Sequence, residues 1–133
     1  MSFVRIQTGV DDKLKVVDFL KELDSEADVN VEDSDGIWVA LSAESEPEEY
    51  QLDDLARLGI DFCGDVEYYD YGYATFASFK GEFMFVISDS DYTPTVCVEA
   101  RGVAQVDVDD ARKFWRLFTG LRDKWKEASR AEG

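Results

Sequence analysis

The chain predicts an α+β domain, a mainly antiparallel sheet packed by about three helices in the order β-α-β-β-α-β-β-β-α. Short apolar–polar alternations rich in Val, Tyr and Phe recur between glycine-bearing turns, as strands do. Longer segments near the start, middle and end repeat their apolar residues at helical spacing instead. With 133 residues, 45% hydrophobic and 14% aromatic, residues 1–133 hold enough apolar surface for a single folded core.

Phe3–Gln7 alternates and reads as the first strand. Thr8 with Asp11 forms a helix-start box, Asp standing in for the usual Glu or Gln, ahead of a helix from about Val10 to Asp24. Val10, Leu14, Val16, Val17, Leu20 and Leu23 cover a wide arc of it. Asp11, Lys15, Asp18 and Glu22 fill a narrow opposite stripe, which predicts a mostly buried helix. "DVNVEDSDGIWVALSA" reads as a hairpin. Val29 and Val31 alternate with Asn30 and Glu32, Asp35-Gly36 suits a turn with φ > 0, and Ile37–Ala43 returns as a more apolar strand.

The segment "SAESEPEEYQLDDL" holds six acids and no base. Ser45 and Glu48 form a capping box with Pro47 in the first turn, and acids at that end are stabilised by the helix dipole. Gly59 ends the helix with Ile60 folding back on it. Leu52, Leu55 and Leu58 share one face; Glu46, Glu49 and Asp53 share the other, with Asp54 at its edge and Arg57 relieving Asp53.

From about Asp61 to Val106 the pattern is β. "VEYYDYGYATFASF" and "GEFMFVISD" read as neighbouring strands joined near Lys80-Gly81, and "TPTVCVEARGVAQV" adds one or two more. Asp107 is a good N-cap for a last helix running to about Ala128. Ala111, Phe114, Phe118, Leu121 and Trp125 line its apolar face, widened by Trp115 and Leu117, while Arg112, Lys113 and Arg116 point away. This aromatic face is expected to cover the sheet, and its bases to offset the acidic body.

Several chemistries are set aside by residue type. With no histidine, Ser-His and Cys-His nucleophile systems and histidine metal sites are absent. Cys63 lies in "DFCGD", among acids that raise its pKa, so it reads as a buried structural thiol. "NVEDSDGIWVALS" fails as a calcium loop. With Gly36 at the sixth position, Val31 and Ser42 fall where Asp and Glu are required. The start "MSFVRIQTG" lacks an apolar leader, and no run nears the roughly 18–20 apolar residues of a membrane span. A cytoplasmic protein with Cys63 and Cys97 reduced is expected. No cofactor and no metal is implied.

The net charge of −16 is uneven. Residues 1–110 carry 27 acids and 7 bases, net −20; residues 111–133 carry 3 acids and 7 bases, net +4. Such a field repels DNA, RNA and anionic lipid, so neither direct nucleic-acid nor membrane binding is expected. The implied partner is a basic protein, above all one that handles nucleic acid. Helical carboxylates three or four residues apart lie about 5–6 Å apart. Duplex DNA presents one charge per roughly 1.7 Å of axis. A folded acidic surface therefore offers a basic groove a DNA-like array.

The expected site residues are Glu44, Glu46, Glu49, Asp53 and Asp54, then Asp33 and Asp35 at the hairpin tip, each pairing like a phosphate with partner Lys or Arg. Glu32, Asp89 and Asp91 are positioned by sequence to extend the array. The expected function is a non-enzymatic inhibitor. Phage inhibitors of CRISPR or restriction enzymes, acting in a bacterial host cell, are one setting; immunity proteins against nuclease toxins are another. The alternative is a structural or accessory subunit whose acidity serves solubility or salt tolerance, which the excess of Asp (18) over Glu (12) fits. An enzyme or small-molecule sensor would need a concave polar pocket that the sequence does not display.

Overall fold

A computed structural model describes residues 2–68, 72–88 and 108–132. The described strands are β1 (Phe3–Gly9), β2 (Asn30–Ser34), β3 (Trp38–Ala43), β4 (Phe62–Tyr68), β5 (Gly72–Phe79) and β6 (Glu82–Ser88). The helices are α1 (Lys13–Leu23), entered through a 3-10 turn at Val10–Asp12, α2 (Glu49–Arg57) and α3 (Val108–Glu132). Element by element, this is the order β-α-β-β-α-β-β-β-α. The six strands form one antiparallel sheet in the order β2-β3-β1-β4-β5-β6.

Alternation along each strand divides the sheet into two apolar faces. Val4 and Ile6 of β1 stand beside Ala43 and Leu41 of β3, on the same face as Val66 of β4 and Phe76 of β5. α1 and α2 close that face with Val16, Leu20, Leu52 and Leu55, all at most 1% exposed. Cys63, Ala77 and Met84 point the other way, where α3 lays down Phe114, Leu117, Leu121 and Trp125. The result is three layers, α1 and α2 over the sheet over α3. β1 and β4 pair with Ile6 opposite Gly64. A Cβ on Gly64 would lie 2.0 Å from the Arg5 carbonyl oxygen, so only glycine lets these two backbones meet.

Several local expectations are corrected. Thr8 does not cap a helix. It is buried in β1, and its hydroxyl donates to the Asp61 carbonyl at 3.1 Å. α1 is not mostly buried: Val16 and Leu20 are its buried residues, while Leu14 is 75% exposed. The cap of α2 lies at Glu48 rather than Ser45. Glu48 and Gln51 take up the capping-box positions, with Gln51 Oε1 accepting from the Glu48 N–H at 2.9 Å and the Glu48 carbonyl accepting from the Gln51 N–H at 3.1 Å. Pro47 precedes the helix, held there by the Tyr68 hydroxyl donating to its carbonyl at 3.1 Å. Leu58 leaves the buried face and is 68% exposed.

"VEYYDYGYATFASF" forms the end of β4 and the whole of β5, not one strand. The strands expected in "TPTVCVEARGVAQV", the cap at Asp107, and residues Tyr69, Tyr71, Asp89, Asp91 and Cys97 lie outside the described residues. The hairpin stands as read, with Gly36 at φ +90° and Asp35 Oδ1 accepting the Ile37 and Trp38 N–H groups, both at 2.9 Å. Gly59, at φ +85°, ends α2, and Ile60 turns back into the core at 1% exposure. Among the described residues, no helix is long and apolar enough to cross a membrane.

Candidate functional site

Each short helix has one side on the sheet and one side turned towards the other helix. On α1, Lys15, Asp18, Phe19, Glu22 and Leu23 recur at helical spacing and form a single stripe. On α2, Gln51, Asp54, Leu55 and Leu58 do the same. The two stripes enclose an open cleft of about 500 Å³. Phe19, Leu23 and Leu55 make an apolar floor. Asp18 and Glu22 form one lip and Asp54 the other, with Lys15 the single base of the lining. Leu58 stands at the mouth. Leu14 lies one turn before Asp18, and Tyr50 one turn before Asp54, so both flank the cleft on its outer side at 75% and 66% exposure.

The expected site residues fall into separate groups. Glu44 and Glu46 are exposed in the segment between β3 and α2, and Glu49 is exposed in the first turn of α2. Asp53 lies on the flank of α2 away from the cleft, where Arg57 Nε donates to its Oδ2 at 3.1 Å. Asp54 is turned into the cleft. Asp33 and Asp35 belong elsewhere. Asp33 stands opposite Ala40, which borders a hollow against Phe114 and Phe118 of α3. Asp35 borders another with Arg122 and Lys126. Both hairpin acids therefore sit on the α3 side of the sheet. They are also separated from Glu44 by the six residues of β3, about 20 Å of strand. The seven acids do not form one continuous ridge.

Asp18 and Glu22, which the structure brings beside Asp54, were missing from the expected site. Periodicity assigns them to the polar stripe of α1, but nothing in the sequence says that this stripe faces α2. The hairpin acids have local work: Asp33 Oδ1 accepts the Ser34 N–H at 2.8 Å, and Asp35 closes the turn.

Charge is unequal across the sheet, although α1 carries Lys13, Lys15 and Lys21 beside its acids and the hairpin acids lie on the α3 side. Arg112, Arg116, Arg122, Lys124, Lys126 and Arg130 are exposed on α3. Two of them fasten the helix to the sheet's acids, Arg116 to Glu82 at 2.7 Å and Lys124 to Asp61 at 2.8 Å. On the α1–α2 layer the ion pairs join Lys15 to Asp12 at 3.9 Å and Arg57 to Asp53 at 3.1 Å. Asp18, Glu22 and Asp54 have no ion-pair partner among the described residues.

The thiol is buried, as its sequence context implies. Cys63 is 4% exposed, and its pKa is pushed up to about 12, first by burial and then by the negative charge of Asp65. A thiol held protonated is no nucleophile at neutral pH. Among the described residues, no group of three or more Cys, Asp and Glu side chains is placed to hold a metal ion. What the arrangement offers is carboxylates beside exposed apolar side chains. Comparison with family models, curated proteins and solved structures finds no match for the chain.

Proposed function

We propose that the chain is a non-enzymatic acidic interaction protein that binds and blocks a basic, nucleic-acid-handling protein. The observation that carries this reading is the acidic excess of α2 and the segment before it, set across the sheet from the bases of α3. Residues 44–57, α2 and the segment before it, carry six acids and one base on one side, while the exposed bases of α3 lie on the other. A cationic partner is attracted to the first side and turned away from the second. Carboxylates at helical spacing present a charge density that a groove built for phosphates accepts. Phage inhibition of CRISPR or restriction enzymes, and immunity against a nuclease toxin, are settings in which such blockade operates.

The test is a pull-down from bacterial lysate at moderate salt, followed by a duplex-DNA challenge and mass spectrometry. A nucleic-acid-binding protein should be captured and then displaced by DNA. The triple variant Glu46→Lys, Glu49→Lys, Asp53→Lys should lose it. Retention by the triple variant, or capture of no such protein, would sink the proposal.

A second reading has its own observation. All five residues of β2 are exposed, and this edge strand carries Glu32 and Asp33. Charge on an edge strand blocks pairing with other sheets. Part of the acidity therefore fits a structural or accessory subunit kept soluble by it. If salt tolerance were its purpose, lowering KCl would unfold the chain, because unscreened acids repel. A blocking protein stays folded at low salt and releases its partner at high salt.

A further inference from the structure

We infer that the cleft between α1 and α2 is the seat of a short basic amphipathic helix of the partner. This inference rests on the proposal that the partner is a cationic protein. The large exposed apolar side chains among the described residues are Val10, Leu14, Val31, Tyr50, Leu58 and Trp115. Leu58 lines this cleft and Leu14 and Tyr50 lie one turn outside its lining, on helices whose solvent side would otherwise be polar. The floor of Phe19, Leu23 and Leu55 continues that apolar surface inward. A surface that only imitated phosphates would have no use for it.

Shape and charge specify the occupant. The lining runs from Lys15 to Leu23 on α1 and from Gln51 to Leu58 on α2. At about 1.5 Å per residue each stripe is roughly 10–12 Å long, two turns of helix. Two apolar anchors at i and i+4, about 6 Å apart along the axis, fit within that length. Lysines or arginines flanking the anchors meet Asp18 and Glu22 on one lip and Asp54 on the other.

Other occupants fit less well. A second copy's α3 is basic, but its apolar face is spent on its own sheet, with Phe114, Leu117, Leu121 and Trp125 buried. Residues 89–107 carry four acids and one base, so their charge does not complement the lips.

The probe is a fluorescein-labelled 14-residue helical peptide of Ala and Lys with Leu at i and i+4. Its control replaces both leucines by Gln at equal charge. Anisotropy titrations use the full chain. The Leu peptide should bind about tenfold or more tightly than its control, the discrimination one apolar anchor gives. Leu58→Ser and Asp54→Asn should each weaken it several-fold. Both sites are exposed, and unchanged tryptophan emission verifies the fold. Glu49→Lys, outside the cleft, should weaken both peptides alike. Amide shifts should concentrate in residues 15–23 and 51–58.

Equal binding of the two peptides, or indifference to Leu58→Ser, overturns the inference and leaves the charge-based proposal to the pull-down. Leu-selective binding beside an empty pull-down keeps the cleft and overturns the wider proposal.

Discussion

Replacing Cys63 by Ala isolates a pH dependence that burial imposes on the fold. The thiol's pKa rises from 9.0 to about 12, because the site is dry and Asp65 is near. Between those values the folded chain keeps a proton that the unfolded chain releases. Stability from this group is therefore complete below about pH 9 and falls as pH rises towards 12. Each pH unit of that interval is worth about 1.36 kcal/mol. The loss reaches roughly 1–2 kcal/mol at pH 10 and approaches about 4 kcal/mol at the top of the range.

Urea unfolding followed by fluorescence of Trp38 and Trp125, at pH 8, 9 and 10, measures it. Cys63→Ala brings a pH-independent truncation cost and removes the titration. Every other group is common to both chains and drops out of the difference. The stability of the parent minus that of Cys63→Ala should therefore shrink by roughly 1–2 kcal/mol between pH 8 and pH 10. A difference that stays constant would refute the reasoning, and so would rapid labelling of Cys63 by a thiol reagent in the folded chain at pH 8.

Other consequences of the packing are as direct. Gly64→Ala puts a Cβ 2.0 Å from the Arg5 carbonyl oxygen and 2.9 Å from Phe76, in the middle of the sheet. Backbone cannot step aside there, so a loss of about 3 kcal/mol or more is expected in the urea midpoint. Gly120→Ala meets the Phe79 ring at 2.5 Å, and that half-buried ring can turn, so the cost should be smaller, about 1 kcal/mol. Asp61 accepts the Lys80 N–H at 3.0 Å and pairs with Lys124 at 2.8 Å, tying the β5–β6 turn to α3. Asp61→Ala should cost about 1–2 kcal/mol, and Asp61→Asn, which keeps an acceptor for the turn, less. Glu48→Ala should lose about 0.5–1 kcal/mol of α2 capping while Ser45→Ala loses little, a contrast readable by thermal melts.

Much of this architecture was legible because alternation and helical repeat are local properties. The turn at Asp35-Gly36 and the helix stop at Gly59 could be read from backbone chemistry alone. Elsewhere the sequence held competing local answers that tertiary contacts decided. Ser45 with Glu48 and Glu48 with Gln51 are overlapping boxes, and the Tyr68 bond to the Pro47 carbonyl favours the later one. Thr8 has the chemistry of a cap, but β1 claims it for the sheet. Leu58 repeats with Leu52 and Leu55, but α2 ends at Arg57 and the sheet lies under the earlier residues. Its side chain is left at the cleft mouth.

The site was half legible for a similar reason. Composition marks the acidic segment, and periodicity marks a polar stripe on α1. The meeting of that stripe with α2 is a fact of layer packing, as is the removal of Asp33 and Asp35 to the far side of the sheet.

That separation changes what the acidity can do for binding. At physiological ionic strength the screening length is about 8 Å, shorter than the strand that divides the hairpin acids from Glu44. The full charge therefore acts on a partner mainly at a distance and at low salt, where it speeds and orients encounter. On the proposed reading, a docked partner meets only the few lips of one cleft, and the apolar floor adds a hold that salt weakens less than it weakens the charge pairs. Raising NaCl from about 50 to 300 mM should then slow association of the Leu peptide by roughly tenfold while changing its dissociation rate far less. Stopped-flow anisotropy separates the two rates. Equal salt sensitivity of both would mean that the lips alone hold the complex, and that Leu14, Tyr50 and Leu58 are exposed for some other reason.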